Sequence, residues 1–272
     1  MHVIEANGAK IPAIGLGTWE LRGRTCARIV EQALKLGYRH LDTAQAYDNE
    51  REVGEGMRAS GVKRDEIFLT TKIWTNHFAP HDLERSAKES LVKLRQPHVD
   101  LLLLHWPNPQ VPLVETLGAL ARAKTMGLAR HIGVSNFTVA LIEEAVKACP
   151  EPLVCDQVEY HPYLDQSKVK AACAKAGMAL VAYSPVAKGR IKTDETLARI
   201  GRLYRKTPAQ ICLRWLVQQN VPAIPRTSKL ERLSENINIF DFELTDQEMA
   251  QIFALHNPKG RMTDFGFAPK WD

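Results

Sequence analysis

Leu41-Asp42-Thr43-Ala44-Gln45-Ala46-Tyr47-Asp48-Asn49-Glu50-Arg51-Glu52-Val53-Gly54 is too polar for the interior of a strand and too unusual in composition for an ordinary turn. The residues leading into it, Tyr38-Arg39-His40-Leu41, read as a short strand. Asn49 followed by Glu50 and Glu52 reads as a helix cap with carboxylates in the first turn. Asp42 then falls near the carboxyl end of a strand and Tyr47 in the loop after it, which in parallel α/β proteins is the edge where ligands bind. A capped turn with a half-buried tyrosine is the plainer reading, and this stretch alone does not choose between the two.

The sequence on either side is an alternation of strand and helix patterns. Upstream, Val3 to Ile11 forms two short apolar arms around Asn7-Gly8, a strong hairpin signal. Ile14 to Gly17 follows as a short strand, then a helix with Ile29, Ala33 and Leu36 at helical spacing and Gly37 at its end. Downstream, strand-like runs begin near Ile67, Val99, Ala129, Leu153, Met178 and Val221. Between them lie helical patterns: Leu83, Ala87, Leu91 and Leu94; Leu113, Leu117 and Leu120; Val139, Ile142 and Val146. Thr207-Pro208 opens a further helix, and Gly61, Gly127 and Gly177 close others.

Counted from Ile14, eight strand candidates alternate with helices, the pattern of a single (β/α)8 TIM barrel preceded by a β-hairpin. A doubly wound dinucleotide-binding sheet is the competitor. It should carry GxGxxG after its first strand, and Gly15-Leu16-Gly17-Thr18-Trp19-Glu20 supplies only the first two glycines. No composition break divides the chain. Residues 1–272 are therefore expected to form one domain, with the hairpin over 1–12 and a tail over 256–272 near the barrel mouth.

The 272 residues are 45% hydrophobic and 25% charged, an ordinary globular composition, with a formal charge of +5. The basic residues are scattered, densest around Arg199 to Lys206 and Arg226 to Arg232, so no nucleic-acid partner is expected. Cys26, Cys149, Cys155, Cys173 and Cys212 make an odd count with no CxxC pair, which suits a reducing compartment. Met1-His2-Val3-Ile4-Glu5 does not open a signal peptide, and no apolar run approaches the ~20 residues of a membrane span. A cytoplasmic protein, acting as a monomer away from membranes, is expected.

A barrel makes the strand carboxyl ends readable as a set: Gly17-Thr18-Trp19, Asp42 with Tyr47, Lys72 with Trp74, His105-Trp106-Pro107, Ser135-Asn136, Gln157, Tyr183-Ser184-Pro185 and Arg226-Thr227-Ser228. Few of these are packing residues. Asp42, Tyr47, Lys72 and His105 come from three successive strand ends and can converge. Singly, each has a plain explanation: an Asp–Lys ion pair, a core histidine after Leu101 to Leu104, a rim aromatic. Together at one mouth they describe an acid–base site. A free tyrosine has a pKa near 10, and an adjacent ammonium favours phenolate and lowers it. Lys72 would supply that ammonium, Asp42 would hold it, and His105 would orient a carbonyl oxygen. Protonating that oxygen as hydride reaches carbon is general acid catalysis of carbonyl reduction, with the hydride drawn from a cofactor.

Other chemistries fit less well. Gly133-Val134-Ser135-Asn136-Phe137 begins like a nucleophile elbow but lacks the closing glycine. No HExxH and no Cys or His spacing suits zinc, so no metal is expected.

These residues carry a resemblance to the aldo-keto reductases over essentially the whole chain. It is most similar to the short prokaryotic members that act on small aldehydes, methylglyoxal-like dicarbonyls or diketo sugar acids. The matching motifs are Gly15 to Trp19, Leu41 to Ala44 with Tyr47 and Glu52-Val53-Gly54, Thr71 to Trp74, Asp100 through Trp106-Pro107, Gly133 to Phe137 and Tyr183-Ser184-Pro185. The resemblance implies that Tyr47 is the acid, Lys72 and Asp42 its tuning pair and His105 the carbonyl-orienting residue. It also implies NADPH laid over the barrel mouth: Ser135, Asn136 and Gln157 on the carboxamide, Tyr183 stacked on the nicotinamide, Ser184 near the pyrophosphate, with Gly17, Thr18 and Asp42 lining the same groove.

Toward the adenine end the family pattern Ile-Pro-Lys-Ser is replaced by Ile224-Pro225-Arg226-Thr227-Ser228, with Arg232, Glu235 and Asn236 in register. An arginine fork can grip a 2'-phosphate, so NADPH is expected, with NADH use possible through this departure. Trp19, Trp74, Trp106 and Trp271 would line the substrate pocket, with Phe265 to Trp271 as a lid. A non-catalytic NADPH-binding sensor or partner subunit on the same barrel is the alternative to the enzyme reading.

Overall fold

The structure, a computed structural model, describes residues 2–272. The hairpin pairs β1 (Val3–Ala6) with β2 (Ala9–Pro12) in antiparallel register, Ala6 opposite Ala9. Asn7 and Gly8 both take positive φ, 42° and 85°, as a two-residue primed turn requires. The Asn7 amide donates to the carbonyls of Leu153 (2.7 Å) and Ala176 (3.0 Å), which fastens the hairpin across the amino end of the barrel.

The barrel strands are β3 (Leu16–Gly17), β4 (His40–Asp42), β5 (Phe68–Ile73), β6 (Val99–Leu104), β7 (Ala129–Ser135), β8 (Leu153–Glu159) and β9 (Ala179–Tyr183), all parallel and neighbouring in chain order. The eighth position, expected as a strand from Val221, is occupied by a segment that bridges Ile14 and Ala182 at Ala223 and Gly17 at Arg226. Ala223 and Ile224 donate to Ala13 and Ala182, while the carbonyls of Ala223 and Pro225 accept from Gly15 and Gly17. Pro222 and Pro225 have no N–H to contribute, so the segment closes the ring without forming a continuous ladder.

The helices that cover the barrel are α1 (Gly23–Lys35), α2 (Glu50–Ser60), α3 (Pro80–Leu94), α4 (Leu113–Thr125), α5 (Val139–Ala148), α6 (Ser167–Lys175), α7 (Glu195–Tyr204), α8 (Pro208–Gln218), α9 (Leu230–Ile237) and α10 (Asp246–Phe253). Leu83, Ala87, Leu91 and Leu94 of α3 are buried, as their spacing requires. In α5 the inward stripe is Ile142 and Ala145 rather than Ile142 and Val146, and Val146 is exposed. Thr207 and Gln210 form a reciprocal capping box at the start of α8. No helix is long and apolar enough to cross a membrane.

α2 packs closely on both neighbours because it carries glycines at the contacts. A Cβ on Gly54 would run into the Leu94 carbonyl at the end of α3, and one on Gly56 would lie 2.5 Å from the Ala27 carbonyl in α1. The obstacles are backbone atoms and cannot turn aside. Gly54→Ala is expected to lower stability by about 2 kcal/mol or more, read as a reduced midpoint in denaturant unfolding.

Candidate active site

The barrel register sets the end of β4 beside β5, with Asp42 paired to Thr70, and Lys72 two residues further on. Lys72 is fully buried, and its ammonium has three acceptors: Asp42 Oδ1 at 2.5 Å, the Thr43 carbonyl at 3.0 Å and Tyr47 Oη at 3.3 Å. Asp42 Oδ2 accepts from Gln157 Nε2 at 2.7 Å, across the barrel from β8. Because Tyr47 Oη accepts from Lys72, its own proton is directed elsewhere, toward the open side. There the ring of His105 stands edge-on, with centroids 5.6 Å apart. Asp42, Tyr47, Lys72 and His105 are thus brought together as expected.

The loop that holds Tyr47 is fixed by side chains whose roles the sequence concealed. Asn49 occupies the N-cap position of α2 but makes no side-chain cap. Its buried amide instead accepts from Thr43 Oγ1 (2.7 Å) and donates to the carbonyls of Thr18 (2.8 Å) and Leu21 (3.0 Å), tying the loops after β3 and β4 together. Gln45 accepts from the Trp74 N–H at 2.9 Å and donates to Ser86 and Ser90 of α3. An Asn before Glu-x-Glu is read as a cap from sequence alone, so no local signal distinguishes this use.

Electrostatics assign the proton. Burial of its hydroxyl end, with the Asp42 carboxylate nearby, pushes the Tyr47 pKa well above 10. The expected lowering by Lys72 is outweighed, because desolvation opposes phenolate and the ammonium is already neutralised by Asp42. Lys72 itself is lowered from 10.5 by burial, opposed by Asp42. Burial and the Lys72 charge drive His105 well below 6.5. Its Nδ1 is buried without a partner, so the neutral ring is better placed with its proton on Nε2. The site holds a protonated phenol and a neutral imidazole, and the phenol is the group able to give up a proton to a developing oxyanion.

A second ring of polar groups lies beside this one. Ser135 Oγ donates to the Gln157 carbonyl (2.6 Å) and accepts from Asn136 Nδ2 (3.0 Å). Asn136 Nδ2 also donates to the His105 carbonyl (2.9 Å), and its Oδ1 accepts from Tyr183 Oη (2.9 Å). Asn136 and Ser184 sit at positive φ, 63° and 48°, which turns the chain sharply at the mouth. What is left over is one acceptor site on Ser135 Oγ, one on Asn136 Oδ1, the side-chain Oε1 of Gln157 and one N–H of its Nε2. That set of acceptors and a donor is complementary to a carboxamide, which presents two N–H groups and one C=O.

The residues expected at the adenine end lie together around the start of α9. Arg226 is exposed, and its guanidinium is in use within the chain: Nε donates to the Trp19 carbonyl and Nη2 to Glu20, each at 3.0 Å. Thr227 is buried, with Oγ1 accepting from the Lys229 N–H, whereas Ser228 is exposed. Arg232 is half-buried and Asn236 buried, and Glu235 accepts from Thr207 Oγ1 at 2.5 Å. Gly17 must be glycine, since a Cβ would lie 2.7 Å from the Ile224 carbonyl, and Thr18 caps Asp42 through its N–H and Oγ1 to the Asp42 carbonyl.

On the opposite side stands an aromatic wall. Trp74 meets His105 edge-on at 5.1 Å, and buried Trp106 receives Phe265 (5.6 Å), Phe267 (5.5 Å) and Trp271 (6.1 Å) on its edges. Trp19 stands outside this cluster, 41% exposed, with Lys188 Nζ 5.4 Å from its ring centre. Among the described residues no group of three or more His, Cys, Asp or Glu is placed to hold a metal ion.

Comparison with known proteins agrees with this geometry. Residues 13–257 match the model of the Aldo/keto reductase family. The methylglyoxal reductase DkgB of Escherichia coli O157:H7 is 42% identical over 265 residues, which are 96% of this chain and 99% of that protein. A crystal structure of a candidate 2,5-diketo-D-gluconic acid reductase B superposes with a TM-score of 0.98 at 49% identity, covering 100% of this chain and 98% of that one. A Bombyx mori aldo-keto reductase solved in complex with NADP superposes with a TM-score of 0.89 at 34% identity, covering 96% and 94%. The chain belongs to the aldo/keto reductase family, and is an oxidoreductase with the barrel of that family.

Proposed function

We propose that the protein reduces small aldehydes, ketones and dicarbonyls to alcohols with NADPH, Tyr47 acting as the general acid. The observation that carries this reading is the convergence of a protonated Tyr47 hydroxyl, a three-coordinated Lys72 ammonium and a neutral His105 at one barrel mouth. The nicotinamide, when bound, supplies the hydride. His105 Nε2 donates a hydrogen bond to the carbonyl oxygen and sets its direction toward Tyr47. As negative charge grows on that oxygen, the Tyr47 proton passes to it. The phenolate left behind is stabilised by Lys72, whose own charge is held by Asp42. Gln157 keeps Asp42 in place.

The leftover acceptors of Ser135, Asn136 and Gln157 fit the carboxamide, the Tyr183 ring would face the nicotinamide, and Ser184 would lie along the pyrophosphate. Arg226 and Arg232, with Thr227, Ser228, Glu235 and Asn236, would hold the adenosine 2'-phosphate end. Trp74, Trp106 and Trp271, with Trp19 at the rim, would bound the substrate. The relatives named for methylglyoxal and diketogluconate reduction support small dicarbonyls as substrates. We read residues 1–272 as one domain acting as a monomer in the cytoplasm.

Tyr47→Phe keeps the ring and removes the proton, and should lower kcat by about a hundredfold or more in an NADPH-consumption assay with methylglyoxal, with NADPH binding retained. Retained turnover would eliminate the mechanism, and NADPH binding without turnover in the unaltered protein would favour a sensor or partner subunit. The pH profile follows from the shifts. His105 is already neutral, so reduction should show no inflection as pH passes 6.5. Because Lys72 is lowered while Tyr47 is raised, the alkaline loss of kcat should begin below the lysine value of 10.5, before Tyr47 ionises. At the cofactor end, the Arg226–Glu20 pair is exposed and worth at most about 1 kcal/mol, less than a guanidinium–phosphate fork. Arg226→Ala should weaken NADPH binding about tenfold or more and leave NADH binding little changed, measured by quenching of tryptophan fluorescence.

A further inference from the structure

A buried carboxylate fixes the start of the tail that supplies the aromatic wall. Glu159, the last residue of β8, lies two residues beyond Gln157 and so on the same face of the strand. It is fully buried. Its Oε1 accepts from the Met262 N–H (2.8 Å) and from His161 Nε2 (2.9 Å), and its Oε2 from the Thr263 N–H (2.8 Å). Burial works to raise its pKa, but His161 and the two backbone N–H groups outweigh burial and hold the carboxyl below its ordinary value. Charge-assisted bonds to backbone N–H groups in a dry site are strong and directional.

A second contact lies just upstream in the tail. Asn257 donates to the Tyr163 carbonyl at 3.1 Å, and Gly260 lies flush on that same carbonyl, where a Cβ would collide with it. From these two points the chain runs on to Phe265, Phe267 and Trp271, whose rings meet Trp106, and Phe267 also meets Trp74 at 5.9 Å. The tail rings are partly exposed, and Phe265 and Phe267 are each 49% open to solvent. Their placement over the pocket therefore depends on where the backbone is pinned before them, at Met262 and Thr263, and after them, where Asp272 Oδ2 accepts from the Val139 N–H at 3.0 Å.

We propose that Glu159 is a positioning residue for substrate selection: by fixing Met262 and Thr263 it sets the gap between the tail aromatics and Trp106, and with it the size of carbonyl compound admitted beside Tyr47 and His105. The proposal rests on the carbonyl-reductase reading above. A small dicarbonyl is held by His105 and Tyr47 and hardly reaches the tail. An aromatic aldehyde fills the gap and feels its width.

Glu159→Gln puts an amide N–H against one of the backbone donors and should loosen the tail. The expected result is a rise of about tenfold or more in KM for an aromatic aldehyde, while kcat/KM for methylglyoxal and the NADPH dissociation constant move less than about twofold. Gly260→Ala dislodges the tail from the Tyr163 carbonyl without touching Glu159, and Phe267→Ala removes one wall while leaving the backbone anchors in place. Each should shift the same substrate ratio. If Glu159 acts through the tail, Glu159→Gln combined with Phe267→Ala should be no worse than the more severe single variant, rather than the product of the two.

Equal losses on both substrates, effects that multiply in the double variant, or an unchanged aromatic-aldehyde KM in Phe267→Ala would each overturn the proposal. Should Glu159→Gln fail to fold by circular dichroism, Phe267→Ala, altering an exposed side chain, still decides whether the tail selects. Failure of the underlying reading looks different: the unaltered protein would then turn over no carbonyl with NADPH.

Discussion

The buried ammonium of Lys72 is the constraint around which the mouth of this barrel is arranged. An unpaired charge at zero exposure would cost several kcal/mol, so each of its N–H groups must find an acceptor. Asp42 Oδ1, the Thr43 carbonyl and Tyr47 Oη meet that requirement, and they do so only if β4 and β5 keep their register and the following loop folds back over the strand ends. Gln157 on β8 and Asn49 at the head of α2 then hold Asp42 and the loop in place. What makes Lys72 tolerable inside the fold is the same set of contacts through which the proposed mechanism lets Tyr47 release its proton, so a single substitution at Asp42 or Lys72 would disturb both stability and that chemistry.

Much of this was legible in the chain because strand and helix periods alternate cleanly and chemistry-bearing residues gather at the strand ends. The hairpin could be read from Asn7-Gly8, and the convergence of Asp42, Tyr47, Lys72 and His105 from their order on successive strands. The misreadings have identifiable causes. The last barrel segment has the apolar character of a strand, but Pro222 and Pro225 remove two donors, a backbone effect that hydropathy does not register. Ala145 displaces Val146 from the inward stripe of α5 because periodicity fixes a helical face only to within about one residue. Tyr47 was expected to have a lowered pKa because proximity to a lysine can be inferred from sequence, whereas the depth of burial that reverses the effect cannot. Glu159 went unread although it follows Gln157 at strand spacing, since two of its three partners, the Met262 and Thr263 N–H groups, lie more than a hundred residues away in the tail.

The groove proposed for the cofactor divides between rigid and adjustable parts. Its inner end is a connected set of hydrogen bonds centred on Asn136, joining Ser135, Gln157, Tyr183 and the His105 carbonyl, nearly all buried. Its outer end is carried by exposed side chains on the approach to α9, where Arg226 is engaged with Glu20 and the Trp19 carbonyl. Hydride transfer demands sub-ångström placement at the first end and only charge recognition at the second. Arg226 and Thr227, the departures from the family pattern that the resemblance implies, lie at this outer end.

The proline-bearing seam gives the barrel a mechanical polarity. Each of β3 to β8 pairs with the next strand in the chain, but the seam joins the two ends of the barrel sequence, Ala13, Gly15 and Gly17 meeting Ala223 and Pro225. It carries the largest loop-closure entropy of any junction in the ring, on three backbone hydrogen bonds. The fold is in this sense a ribbon with a clasp: neighbouring strands are joined by contacts local in sequence, and the clasp, beside the Gly17–Trp19 lip, spans nearly the whole chain.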